Sequence, residues 1–217
     1  MTVSAILFDI DGTLVDSNGW HVRAWREAFA GHGHDIADDR IAAQIGKGGD
    51  LLVPTLLPEA TEDEREAIAD AHDTIFKSRY LDRVQPIAHA RDLIERVHAQ
   101  GARVVLASSA SKEELDHYVG LLDIADFVDA STTSEDVETS KPAPDIFAVA
   151  LERIGDPKTV LAVGDSPYDV ESAGKAGVRT VAVLSGGFPR ERLADAVAIY
   201  ANVGELLDRL DESPLAG

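Results

Sequence analysis

The chain has 217 residues, of which 45% are hydrophobic, no cysteine, and a formal net charge of −19. That length fits one large domain or a core with a smaller insert. The lack of cysteine excludes disulfides, cysteine–zinc sites and a thiol nucleophile, and the acidic balance argues against a nucleic-acid partner, which needs a basic surface. The acids are spread along the chain and read as a solvated surface. No apolar run approaches the roughly 20 residues of a membrane helix. The first apolar run stops at Asp9 with no basic stretch before it, so no secretory signal or membrane partner is expected, and the expected location is cytoplasmic.

The first element is the run Ala5-Ile6-Leu7-Phe8, followed by Asp9-Ile10-Asp11-Gly12. A short apolar run of this kind reads as a buried strand of a parallel sheet. Its acids then fall at the carboxyl end, where open α/β sheets place ligands. Residues two apart share a face of a strand, so Asp9 and Asp11 could address one charged object. Two adjacent acids call for a divalent cation or a division of labour, one ionised and one protonated. A hairpin turn at Asp11-Gly12 competes, but Thr13-Leu14-Val15 does not resume a clear alternation. A calcium loop is rejected. Counted from Asp9, the positions that need glycine and glutamate hold Leu14 and Trp20.

From Asp16 to about Arg83 the chain reads as helical, without a strand signal. His21, Ala24, Trp25, Ala28 and Phe29 recur at helical spacing. A short helix is expected from Asp38 to Ile45, then a Gly46-Lys47-Gly48-Gly49 loop, then a helix from Asp50 to Leu57. Thr61 and Glu64 form a capping-box pattern that opens a long helix to about Tyr80. Trp20, Trp25 and Phe29 read as the core of this insert. His32 and His34 read as part of a helix–helix loop rather than as metal ligands.

From Pro86 helices and strands alternate, the signature of a parallel sheet. Strands are expected at Val104–Ala107, Phe127–Ala130, Val160–Val163 and Thr180–Val183. Helices are expected at about Ile87–Val97, Lys112–Leu122, Asp145–Ile154, Tyr168–Ala176 and Val203–Leu210. Three strands then end in polar residues that could meet: Asp9 with Asp11, Ser108, and Asp165 with Asp169. Lys141 precedes a helix in a Pro-x-Pro stretch. This set suits holding magnesium and a phosphoryl group, with an aspartate as an accepted nucleophile. Taken singly, Ser108 reads as a strand-end cap, Lys141 as a solvated lysine and Asp169 as an acid favoured by a helix N-terminus.

Taken together, the four stretches resemble the motifs of the haloacid dehalogenase superfamily, in particular its magnesium-dependent phosphatases with an alpha-helical (C1-type) cap. Phe8–Ser17 is similar to the first motif, Ser108 to the second, Lys141 in Ser140–Asp145 to the third, and Gly164–Asp169 to the fourth. The resemblance implies a doubly wound, Rossmann-like α/β core from residues 1–15 and 86–217, with a helical-bundle cap from 16–85. It implies hydrolysis of a small phosphorylated metabolite through an aspartyl-phosphate on Asp9, with Asp11 as acid and base. Mg2+ would be held by Asp9, Asp165 and the backbone carbonyl of Asp11, supported by Asp169. Gly12, Ser108, Ser109 and Lys141 would hold phosphate. His21 and Lys47 would face the substrate from the cap, which would hinge near Asp16-Ser17 and Arg83–Pro86. A monomer is the default expectation.

Two other readings are open. Some stretches also resemble β-phosphoglucomutase, a phosphomutase, but the cap loop lacks that enzyme's arginine and Gly164 stands where it has glutamate. A non-catalytic phospho-ligand binder on the same fold is the second, since fold alone does not fix function.

Overall fold

The structure, a computed structural model, describes residues 3–155 and 157–216. Met1, Thr2, Asp156 and Gly217, which the expected core boundaries include, lie outside them. In chain order, β1 (Ala5–Phe8) and β2 (Val15–Asp16) precede four helices. These are α1 (Asn18–Gly31), α2 (Asp38–Ala42), α3 (Gly49–Leu56) and α4 (Glu62–Arg79). Next come β3 (Gln85–Pro86), α5 (Ala90–Ala99), β4 (Arg103–Ala107), α6 (Lys112–Leu122) and β5 (Ala130–Thr132). The chain continues through α7 (Asp145–Arg153), β6 (Val160–Gly164), α8 (Pro167–Lys175), β7 (Arg179–Val183), β8 (Ala198–Tyr200) and α9 (Val203–Asp208).

Six strands form one sheet in the order β5-β4-β1-β6-β7-β8, and each neighbouring pair is parallel. This is the doubly wound α/β class expected from the sequence. The order changes direction on either side of β1, and such a switch point opens a crevice at the carboxyl edge. Alternation along the strands divides the core. Ile6, Phe8, Val104, Leu106 and Val163 face the layer built on α5, α6 and α9. Ala5, Leu7, Val105, Ala107 and Ala162 face α7 and α8 through Ile146, Phe147, Ala150 and Ala173. The alanines on that second face let those helices approach closely. Each fully buried Val, Leu, Ile or Phe side chain contributes about 1.5–3 kcal/mol of transfer free energy.

The helical segment has its own core of Trp25, Phe29, Ile41, Leu52, Val53, Leu56 and Ile68. Thr61 caps α4 by accepting from the Glu64 N–H at 3.3 Å. No described helix is long and apolar enough to cross a membrane.

Several sequence expectations need correction. The chain crosses between core and helices on a two-stranded antiparallel ribbon, with Val15 opposite Pro86 and Asp16 opposite Gln85. Two residues per strand leave no periodic signal. The strand expected at Phe127–Ala130 lies later, at Ala130–Thr132. Phe127 and Val128 instead pack half-buried against the core, and Ala125–Phe127 forms a 3-10 turn. The edge strand β8 went unpredicted because it has only three residues. The helix from Asp38 ends at Ala42 rather than Ile45, and α3 starts at Gly49 and carries Pro54 inside it.

Candidate active site

The carboxyl ends of β1 and β6 place Asp9 and Asp165 side by side. Asp9 donates its N–H to the Val163 carbonyl at 2.9 Å, which fixes it against β6. The residue is only 6% exposed. Its Oδ1 accepts from Lys141 Nζ at 2.6 Å, and its Oδ2 accepts from Thr13 Oγ1 at 3.1 Å. Lys141 reaches in from the segment before α7 and is 1% exposed. Its ammonium also donates to the Ala107 carbonyl at 3.0 Å and lies 2.7 Å from Asp169 Oδ1. That second carboxylate contact is an ion pair outside hydrogen-bonding angles, since Asp169 Oδ1 has no hydrogen-bond partner among the described residues.

Asp169 Oδ2 has a separate task. It accepts from Ser166 N at 3.0 Å and Ser166 Oγ at 2.6 Å, closing a capping box on α8. The helix-start role that Asp169 has in isolation and its place in the charged cluster therefore coexist on one carboxylate. Asp165 Oδ2 accepts from Asn18 Nδ2 at 3.0 Å, and Oδ1 accepts from Thr13 Oγ1 at 3.3 Å. Two glycines make room for it. A Cβ at Gly186 would lie 1.5 Å from Asp165 Oδ2, and one at Gly12, where φ is +75°, would lie 2.4 Å from the same atom.

Three buried carboxylates thus share one ammonium. Burial, and then the Asp169 charge, push Asp9 up to about 7, with Lys141 pulling the other way. Burial, Asp169 and Asp9 push Asp165 well above the usual carboxylate range. Burial disfavours the charged form of Lys141, but the Asp169 and Asp9 charges outweigh it and raise its pKa. Removing two acids from water without full compensation is costly, and a cation relieves that cost. One oxygen from each of Asp9, Asp165 and Asp169 falls within a group no wider than 4.8 Å. Hard oxygen donors and excess buried negative charge fit a divalent metal ion.

The Asp11 carboxylate stands apart from this group and turns toward the helical segment. Its Oδ1 accepts from Ser17 Oγ at 2.6 Å and lies 3.3 Å from His21 Nε2. His21 Nδ1 lies 3.3 Å from His72 Nε2, and His72 Nδ1 lies 2.9 Å from Asp73 Oδ1. Burial would raise Asp11, but hydrogen bonds from His21 and Ser17 hold it below the usual range. Burial would lower His21, but Asp11 raises it. Burial pushes His72 down to about 4. The row is consistent as a charged His21 donating to a neutral His72, which donates to Asp73. Ring stacking fixes both imidazoles, His21 on Phe76 at 3.8 Å and His72 on Trp25 at 3.9 Å.

A cavity of about 320 Å³ lies over Asp9 and Asp11, and His21, Lys47 and Ser109 also line it. Ser108 does not line it; it is fully buried, and its Oγ accepts from the Ala110 N–H at 3.0 Å. The Lys47 ammonium donates to Gln44 Oε1 at 2.7 Å and Thr55 Oγ1 at 3.3 Å, and sits 4.8 Å from the Tyr168 ring centroid. Sequence reasoning gave no site role to Thr13, Asn18, His72 or Gly186, and placed Ser17 only at the expected hinge. Thr13 and Ser17 lie inside the first motif stretch, so their position was a usable signal. His72 sits on the buried face of α4 with Ile68 and Phe76, where spacing alone does not set it apart from core. Gly186 follows β7 in a stretch without a motif.

A family model described as haloacid dehalogenase-like hydrolase matches residues 3–177. The chain belongs to the haloacid dehalogenase-like hydrolase family. It is 30% identical over 196 residues to a protein of Caldanaerobacter subterraneus that carries the pyrophosphatase name PpaX, covering 89% of this chain and 87% of that one. It is 27% identical over 233 residues to a phosphoglycolate phosphatase of Shigella boydii, covering 96% and 92%. A solved hydrolase structure from Pseudomonas syringae superposes with a TM-score of 0.90 at 29% identity, covering 97% of this chain and 98% of that one.

Proposed function

We propose that this hydrolase cleaves phosphate monoesters of small metabolites, with Asp9 as nucleophile, Asp11 as acid and base, and Mg2+ as cofactor. The observation that carries the reading is the pairing of two differently tuned acids over one cavity. Asp9 lies in the buried group with Lys141, Asp165 and Asp169, while Asp11 is tied to His21 of the helical segment. The relatives' names, phosphatase and pyrophosphatase, support phosphoryl chemistry.

In this account an Asp9 carboxylate oxygen attacks phosphorus, and the bond from phosphorus to the ester oxygen breaks. The leaving oxygen takes a proton held by the Asp11–His21 pair. Asp11 then accepts a proton from water as that water attacks the phosphorus of aspartyl-phosphate, and the bond to Asp9 breaks to release orthophosphate. Asp9, Asp165 and Asp169 would hold Mg2+, which when bound offsets phosphoryl charge. Lys141 lowers the cost of ionised Asp9 and would offset phosphoryl charge from behind it, since it contacts Asp9 but does not line the cavity. Such transfer depends mainly on positioning and charge stabilisation. Ser109 would contribute to the phosphate-side wall, with Ser108 shaping the turn beneath it, whereas Gly12 lies outside the cavity lining and leaves room for the Asp165 carboxylate.

Hydrolysis rather than transfer to a second substrate position is the reading that the resemblance supports at Gly164, where β-phosphoglucomutase has glutamate. A Cβ there would lie 2.6 Å from Asp169 Cβ, so the site as built takes no side chain at that position. The test is orthophosphate release from an aryl phosphate by purified protein. Release should require Mg2+ and stop on chelation. Undiminished release after chelation, or none with Mg2+, contradicts the reading.

A further inference from the structure

The wall of the cavity beyond the catalytic acids has an unusual charge balance. Asp50, Asp73, Glu114 and Glu138 all line it, and Lys47 is its one lysine or arginine among the described residues. That ammonium already donates to Gln44 and Thr55. His21 faces Asp11, and His72 is used between His21 and Asp73. Asp50 Oδ2 accepts from the Ser140 N–H at 3.1 Å, which holds the first turn of α3 against the core. Glu114 is buried and accepts from Ser111 N and Oγ at 2.7 and 2.8 Å. Glu138 is exposed at the rim and makes no hydrogen bond or ion pair among the described residues.

We infer that the leaving group is a hydroxylated or aminated alcohol without a second anionic group, and that these wall carboxylates select against carboxylated and doubly phosphorylated esters. The inference rests on the phosphomonoesterase reading above and names the substrate class of that same site. Its logic is charge complementarity. The phosphoryl end would be served by Asp9, the Lys141 ammonium that contacts it, and Mg2+ held by the neighbouring carboxylates. A second anion would have to lie against the acidic wall, where no unengaged cation meets it, and like-charge juxtaposition disfavours a wrong ligand strongly. Alcohol hydroxyls and ammonium groups, in contrast, donate hydrogen bonds, which carboxylates accept. The pyrophosphatase and phosphoglycolate phosphatase names of two relatives denote substrates with a second anion; this wall predicts a different preference.

Three two-carbon phosphate esters that differ only in the far group provide the test: ethanolamine phosphate, ethylene glycol phosphate and phosphoglycolate. The native enzyme with Mg2+ should show kcat/KM for the ammonium and hydroxyl esters at least about tenfold above that for the carboxylate ester, with the gap narrowing as salt is raised. Glu138→Lys should shift the ratio of carboxylate to ammonium ester by about tenfold toward the carboxylate. The ratio is read within one protein, so a loss of folded fraction does not mimic it. Equal or better turnover of phosphoglycolate by an enzyme that hydrolyses an aryl phosphate overturns the inference and leaves the phosphatase reading intact. No turnover of any ester, aryl phosphate included, overturns both.

Discussion

His21 Nε2 lies 3.3 Å from Asp11 Oδ1. The helical segment therefore touches the acid proposed to serve the leaving group, through a ring fixed between that acid and His72. Burial would raise Asp11, but with His21 and Ser17 against it Asp11 is held below the usual carboxylate range, and so is a poor source of a proton. His21, raised by Asp11, keeps a proton next to it. Replacing His21 with glutamine should lower kcat for alkyl phosphates, whose leaving oxygen needs the proton, by about 10–100-fold. Aryl phosphates, with better leaving groups, should lose much less. A leaving-group series measured on both proteins checks this, and an equal loss across the series contradicts it.

His72 sets a pH limit on stability. Its ordinary pKa is 6.5 and burial brings it down to about 4. Between those values the unfolded chain binds a proton at His72 that the folded chain does not. Stability therefore falls as pH falls from about 6.5 to about 4, by up to about 3 kcal/mol from this group. Asp9, pushed up to about 7, works in the opposite direction over much of the same window. The clean quantity is the stability difference between the native protein and His72→Gln, in which the Asp9 contribution cancels. Denaturant melts at several pH values should show the native protein losing ground to the variant on acidification. A difference independent of pH contradicts this account.

Gly186 is predicted to matter as much as a charged residue. A methyl group there would occupy the space of Asp165 Oδ2. Gly186→Ala should displace that carboxylate, weaken Mg2+ binding and cost about 100-fold in kcat/KM, since small misplacements of a reacting constellation have effects of that size. Titration calorimetry with Mg2+ checks the first effect and steady-state kinetics the second. Metal affinity equal to that of the native protein would contradict it.

The legible part of this chain lay where burial forces a repeating pattern. The run Ala5–Phe8 and the run Val160–Val163 are apolar because helices cover both faces of the sheet, so their strand character showed directly. Ala130–Thr132 sits at a sheet edge and is only partly buried, and its weak pattern hid it. The acids gathered around Lys141 could be read because each follows a strand or opens a helix. The supporting residues could not. Asn18 and Gly186 meet Asp165 across 147 and 21 residues of sequence, and neither spacing nor composition announces such a contact. His72 showed the reverse problem, since an imidazole on an apolar helix face has the same sequence pattern whether it fills space or holds another histidine.

The most direct test of the central claim is to find where the phosphoryl group goes. In Asp11→Asn the first transfer from an aryl phosphate needs little acid help, but the water that must release the phosphoryl group lacks its base. The variant, mixed with an aryl phosphate and Mg2+, quenched and digested, should carry a phosphoryl group on the peptide that contains Asp9. That signal should vanish when Asp9 is also changed to asparagine. A phosphoryl group on any other residue, or full turnover by Asp9→Asn, would contradict the account.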